Sequence, residues 1–159
     1  MEAIEKQWKG REGGCLCGAI RYRIEGPPLA LVACHCTECQ VRGGGPLSLS
    51  MPIASEHFAV LQGTPAVQEG RIEDRVKSSH ICAACHVRLW VTNTATPGML
   101  IIKAGTLDRC DDFHPVAHLW VRSKQPWVQL ATDTIQFETQ PQPSAFGEVV
   151  TAWHAQHGS

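Results

Sequence analysis

The sequence predicts an all-β fold closed by a short C-terminal helix, and three observations carry that expectation. Short runs of β-branched and aromatic residues recur along the chain, Gly, Pro, Asn or Asp separates most of them, and one run alternates cleanly between apolar and charged side chains. That run is AIRYRI at 19–24, with Ile20, Tyr22 and Ile24 on one side of a pleated strand and Arg21 and Arg23 on the other. A half-buried strand requires this pattern, because successive side chains point to opposite faces.

The other candidate strands follow in chain order: LALVA at 29–33, LSLSMPI at 47–53, HFAVLQG at 57–63, RVKSSHI at 75–81, RLWVTN at 88–93, MLIIKAGTL at 99–107, HLWV at 118–121, WVQLA at 127–131 and DTIQFET at 133–139. The polar stretch ETQPQPSAFG, with two prolines, interrupts any regular pattern. Near it, AFGEVVTAWHAQH repeats Val149, Val150 and Trp153 at helical spacing, which predicts the terminal helix packed on the sheet. A single domain over 1–159, with its core at about 13–138, fits the length, and a chain of that size can bury a core without crosslinks.

Charge narrows the partners. A net charge of −1, with 18% Asp, Glu, Lys and Arg, leaves no basic face for nucleic acid, so a small molecule is the expected partner. The segment MEAIEKQWKGREGG has no apolar core of a signal peptide, and no later run reaches the length of a membrane span. The expected location is the cytoplasm.

Eight cysteines would permit four disulfides in a secreted protein. The missing leader opposes that, as do the tight pairs Cys15/Cys17, Cys34/Cys36 and Cys82/Cys85, whose members are poorly placed to bridge each other. Reduced thiols holding metal fit better; zinc leads and an iron–sulfur cluster is the competitor that spacing does not exclude. Each pair sits beside a predicted strand, where a tight turn aims two thiolates at one ion while backbone N–H groups donate to the sulfurs. Spacing leaves the partners open: Cys15 and Cys17 can close a site with Cys34 and Cys36 or with Cys82 and Cys85, since loop closure cost rises slowly with length.

If Cys34, Cys36 and Cys39 act as a unit, the other two pairs make a complete four-thiolate set and the triplet has one vacancy. A closed set is structural, whereas three protein ligands and an open position describe a catalytic zinc. The competing expectation is that Cys110, or one of His35, His80, His86, His114 and His118, shuts the triplet. A lone cysteine such as Cys110 is more commonly a small buried apolar side chain.

The motifs GGCLCGAIRY, CHCTECQ followed by Gly43 to Gly45, the C-x-x-C before LW, GTLD and HLWVRSKQPW occur in one order over residues 13–128. In that order the chain resembles the glutathione-dependent formaldehyde-activating enzyme family, whose superfamily includes centromere protein V. The resemblance implies an Mss4-like arrangement of zinc-stapled antiparallel sheets, with a structural zinc on Cys15, Cys17, Cys82 and Cys85. It implies a second zinc on Cys34, Cys36 and Cys39, associated with glutathione and catalysis; the division of seven thiols as four plus three predicts that this second ion is the more weakly held. Two departures stand out: Ile81 where the family usually has an aromatic, and His86 where it usually has Gly.

The implied reaction joins a small thiol and an aldehyde, glutathione and formaldehyde, into S-hydroxymethylglutathione, or cleaves the adduct as a carbon–sulfur lyase. The rival class is a noncatalytic zinc module that binds or carries glutathione or a protein partner; a homodimer is compatible with either. Because glutathione carries carboxylates, a cation near the triplet is expected, with Arg42 first and Arg122 and Lys124 behind it. Gly43 to Gly45 offer backbone N–H groups, and Glu38 is a candidate proton carrier, each beside the plainer reading of a surface turn. His114 and His118 flank PVA, but Pro115 and the strand character of HLWV argue against a helical metal pair. Trp90, Trp120 and Trp127 are expected in the core or a pocket wall.

Overall fold

The alternation at 19–24 is realised as strand β2 (Arg21–Ile24), which buries Tyr22 and Ile24 completely and leaves its arginines half-exposed. The structure is a computed structural model that describes residues 7–72 and 74–157; the first six residues of the N-terminal segment read above lie outside them. Antiparallel to β2 run β1 (Arg11–Gly14) and β5 (Phe58–Gln62), forming a three-stranded sheet in the order β1-β2-β5.

The second sheet takes β3 (Val32–Cys34), β4 (Ser48–Ala54), β6 (Ala66–Ile72), β7 (Arg75–Ile81), β8 (Arg88–Asn93), β9 (Met99–Lys103), β10 (Ala117–Leu119) and β11 (Ile135–Phe137). Their order is β11-β10-β3-β4-β9-β8-β7-β6. Most pairings are antiparallel; β10 is parallel to both of its neighbours, β3 and β11. RVKSSHI and RLWVTN coincide with β7 and β8, joined by a short turn that carries Cys82 and Cys85.

The two sheets meet at aromatic rings. Tyr22 and Phe58 lie 5.3 Å apart and Phe58 and Trp90 4.8 Å apart, the latter nearly edge-on, a geometry that suits the ring quadrupole. Trp90 in turn stacks on His80, with centroids 5.0 Å apart. The Tyr22 hydroxyl bonds to Thr106 Oγ1 at 2.7 Å, and a Cβ on Gly13 would collide with the Tyr22 ring, so the close crossing of β1 there requires glycine. The terminal helix, α2 (Pro143–His157), buries Val149 and Trp153. Trp153 packs 5.7 Å from Trp8, tying the two chain ends together.

Several expectations differ from the structure. WVQLA forms no strand: Val128 N–H closes a turn onto Gln125, Lys124 Nζ donates to the Val128 carbonyl at 2.9 Å, and Trp127 is 68% exposed, so no neighbour takes the ladder. HLWV stops as a strand at Leu119 because Trp120 adopts a left-handed conformation, φ 60° and ψ 41°. The end of MLIIKAGTL curls into a 3-10 turn at Ala104–Thr106. Strand β6 carried no sequence signal, since AVQEGRI sits at the sheet edge with nearly every described side chain exposed. The helix α1 (Thr37–Gly43) was likewise unforeseen.

Among the described residues no helix is long and apolar enough to cross a membrane.

Candidate functional site

Seven of the eight cysteines converge into two clusters. The Sγ atoms of Cys15, Cys17, Cys82 and Cys85 lie within 4.8 Å of one another, and so do those of Cys34, Cys36 and Cys39. Among the described residues, neither Cys110 nor any histidine joins the triplet. Cys110 is exposed, not the buried apolar side chain expected for it.

The four-thiol cluster is built from two tight turns. Cys15 and Cys17 sit where β1 turns into β2: Cys15 N–H donates to the Ile20 carbonyl at 3.1 Å, Gly18 adopts φ +76° to close the turn, and Ile20 N–H donates to Cys15 Sγ at 3.2 Å. The Cys82 turn is closed by Cys82 N–H to the Val87 carbonyl and His86 N–H to the Cys82 carbonyl, both 2.9 Å. Cys17 Sγ lies 3.6 Å from Cys15 Sγ and 3.7 Å from Cys82 Sγ, so the contact spans the two sheets. The Val87 N–H, with that of Cys17 behind it, draws the Cys85 thiol down to about 6. His86 stands at φ 61°, which explains why glycine suits this position.

The triplet is assembled by the end of β3 and the start of α1. Cys34 closes β3 opposite Ser48 of β4. Cys36 is the N-cap of α1, its Sγ accepting from Cys39 N–H at 3.3 Å, and Gly44 ends the helix at φ 61°. Thus one thiol both caps the helix and faces the next. Contact with the Cys34 thiol draws Cys39 down to about 5; burial opposes this, and the fields of Lys103 and Arg88 reinforce it. Cys34 moves up for the complementary reason, since it shares its proton with Cys39 and is buried. A soft, electron-rich set of three clustered sulfurs fits zinc, and so does the four-thiol cluster.

A polar scaffold fixes the backbone that carries the triplet. The His35 carbonyl accepts from Gln40 Nε2 at 2.7 Å and Ser123 Oγ at 3.1 Å, while Gln125 Nε2 donates to Gln40 Oε1 at 2.7 Å. Beneath it, buried His35 Nε2 and His118 Nδ1 share a 2.9 Å hydrogen bond, and His35 N–H donates to the Leu119 carbonyl at 2.9 Å. The parallel pairing of β3 with β10 therefore places His118 as a support for the triplet.

The expected cations are elsewhere engaged. Arg42 Nε binds Glu38 at 2.8 Å, one helical turn back, and Lys77 Nζ binds the same carboxylate oxygen at 3.1 Å. Despite partial burial, Lys77 and Arg42 hold Glu38 below its ordinary range, so it is an ion-pair partner and a poor proton donor. Arg122 stacks over Trp120 at 5.0 Å, and Lys124 donates to the carbonyls of Gln125 and Val128. The cations whose fields reach the triplet are Arg88 and Lys103, which sequence reasoning missed. The available signal was a lysine completing the apolar run MLIIK. Burial, helped by Arg88, pulls that ammonium down to about 8.

Comparison with known proteins places this geometry. The sequence profile of the glutathione-dependent formaldehyde-activating enzyme family matches residues 10–123, a span that includes all seven clustered cysteines. The chain belongs to this family. A protein of Halomonas elongata is 27% identical over 158 residues, covering 92% of this chain and 96% of its own, and carries the provisional name glutathione-dependent formaldehyde-activating enzyme. A crystal structure of a Rhodobacter sphaeroides protein shares the fold, with a TM-score of 0.51 at 17% identity, covering 64% of this chain and 91% of that one. The family expectation drawn from the motif order is therefore met, and so is the mainly β architecture with its cysteine clusters.

Proposed function

We propose that the chain, acting as one cytoplasmic zinc domain, forms or cleaves the carbon–sulfur bond of a glutathione–aldehyde adduct, S-hydroxymethylglutathione being the type case. Cys15, Cys17, Cys82 and Cys85 would hold a structural zinc, and Cys34, Cys36 and Cys39 a second one with a position left for ligand. The observation that carries the reading is the unequal division of the thiols, four in one cluster and three in the other. Family membership supports the substrate class.

A bound zinc supplies a lowered thiol pKa, so that a thiolate is present near neutral pH. The protein's own groups do the rest by placement. The Gln40, Ser123 and His35 hydrogen bonds keep the Cys34–Cys39 segment rigid, so that the sulfur donor meets a fixed set of partners. The sulfur lone pair then forms the new bond to the aldehyde carbon, the carbonyl π bond breaks onto oxygen, and that oxygen takes a proton from solvent. Cleavage retraces the same path.

The test is the rate of adduct formation from glutathione and formaldehyde, read by exchange NMR with wild-type protein and with Cys36→Ser, after circular dichroism shows both folded. A faster rate with wild type alone supports catalysis at the triplet. Equal rates refute it and leave a binding or carrier module.

A further inference from the structure

Two half-buried cations near the triplet have no use in the chemistry above. None of the ion pairs among the described residues includes Arg88 or Lys103. Lys103 is also held in place: its Nζ donates to Ser50 Oγ at 3.1 Å and Ser48 Oγ at 3.3 Å. Ser50 pairs with Lys103 across β4 and β9, and Ser48 pairs with Cys34 across β4 and β3, so the ammonium lies on the same sheet face as the first thiol of the triplet. A desolvated cation without a carboxylate is unfavourable until an anion reaches it.

The neighbouring charges do not supply that anion. Glu38 is already shared between Arg42 and Lys77, which leaves that cluster one positive charge in excess. Three thiolates around a divalent zinc carry one net negative charge, less than the two positive charges of Arg88 and Lys103. A thiolate as the fourth donor closes the difference; water or imidazole leaves it open.

We propose that Lys103, with Arg88 beside it, makes the open position of the Cys34–Cys36–Cys39 site select an anionic sulfur donor over a neutral one. This rests on reading the triplet as an open zinc site. Lys103 is then a positioning residue for specificity: its charge stabilises the ionised ligand sulfur without forming a bond to it.

The test uses protein loaded with cobalt(II) and follows its visible absorption during titration with 2-mercaptoethanol, which has one ionisable sulfur and no carboxylate, and separately with imidazole. An opposite charge at close range commonly moves a thiol equilibrium by a unit or more, so Lys103→Met is expected to weaken 2-mercaptoethanol binding about tenfold. Imidazole affinity should stay unchanged, Lys103→Arg should restore thiol binding, and Arg88→Gln, an independent variant should Lys103→Met not fold, should show a smaller loss of the same kind. Equal weakening of both donors overturns the proposal, because it marks a residue that only supports the fold. An unaltered thiol affinity overturns it too, as does a loss seen with glutathione but not with 2-mercaptoethanol, which would mean that the lysine reads ligand carboxylates. If wild-type protein shows no thiol-dependent spectrum at all, the proposed function itself fails, a result distinct from the others.

Discussion

Removing the four-thiol staple by the double substitution Cys82→Ser/Cys85→Ser tests the division of labour between the two clusters. Cys17 and Cys82 are 65 residues apart in sequence, yet their sulfurs lie 3.7 Å apart. A zinc held there leaves when the chain unfolds, so it stabilises the fold by its binding free energy, about 4 kcal/mol at a thousandfold excess over its dissociation constant. Total stabilities run only to roughly 5–15 kcal/mol, so the loss is a large share. At roughly 2–4 °C per kcal/mol for a chain of this size, the melting temperature should fall by about 8–16 °C. Cys39→Ser, which touches only the triplet, should melt close to wild type while losing one metal per chain. The assay is thermal unfolding by circular dichroism with metal content by mass spectrometry, repeated during chelator titration, where the triplet should empty first. Equal shifts for the two variants, or a double variant that melts with wild type, would refute the reasoning.

His86→Gly should raise stability by about 0.5–1 kcal/mol, because a left-handed backbone strains a residue with a Cβ more than it costs glycine in chain entropy; denaturant midpoints at constant slope check it. Gln40→Leu leaves the His35 carbonyl with Ser123 alone and strands Gln125, so cobalt affinity at the triplet should fall by about tenfold while the melting temperature moves little. A competition titration with a coloured chelator reads that loss.

Much of the fold was legible where a strand has one buried face or where a turn sequence leaves little choice. The alternation at 20–24 and the apolar runs that became β8 and β9 belong to this class, and the terminal helix was visible because Val149 and Trp153 share one buried stripe. The edge strand β6 was not, since an exposed ribbon lacks the hydrophobic period on which such reading depends. WVQLA misled for the opposite reason, with strand-forming residues in a segment whose hydrogen bonds close locally. The helix α1 hid behind its own cysteines: Cys36 serves as an N-cap and Glu38 and Arg42 form a turn-spaced pair, signals masked by reading the segment as a metal knuckle.

The sequence by itself determined the chemistry on offer: seven thiols in tight groups, the turns that aim them, and the order of motifs that marks the family. These are local properties, because a tight Cys turn presents its sulfurs whichever strand it follows. Only the tertiary structure decided which groups meet. Cys17 finds Cys82 because two sheets close against each other, His118 supports the triplet because β10 runs parallel to β3, and Lys103 reaches its face through a register set by β4. Those pairings come from sheet order and long-range packing, for which loop closure costs so little per added residue that spacing along the chain carries almost no information.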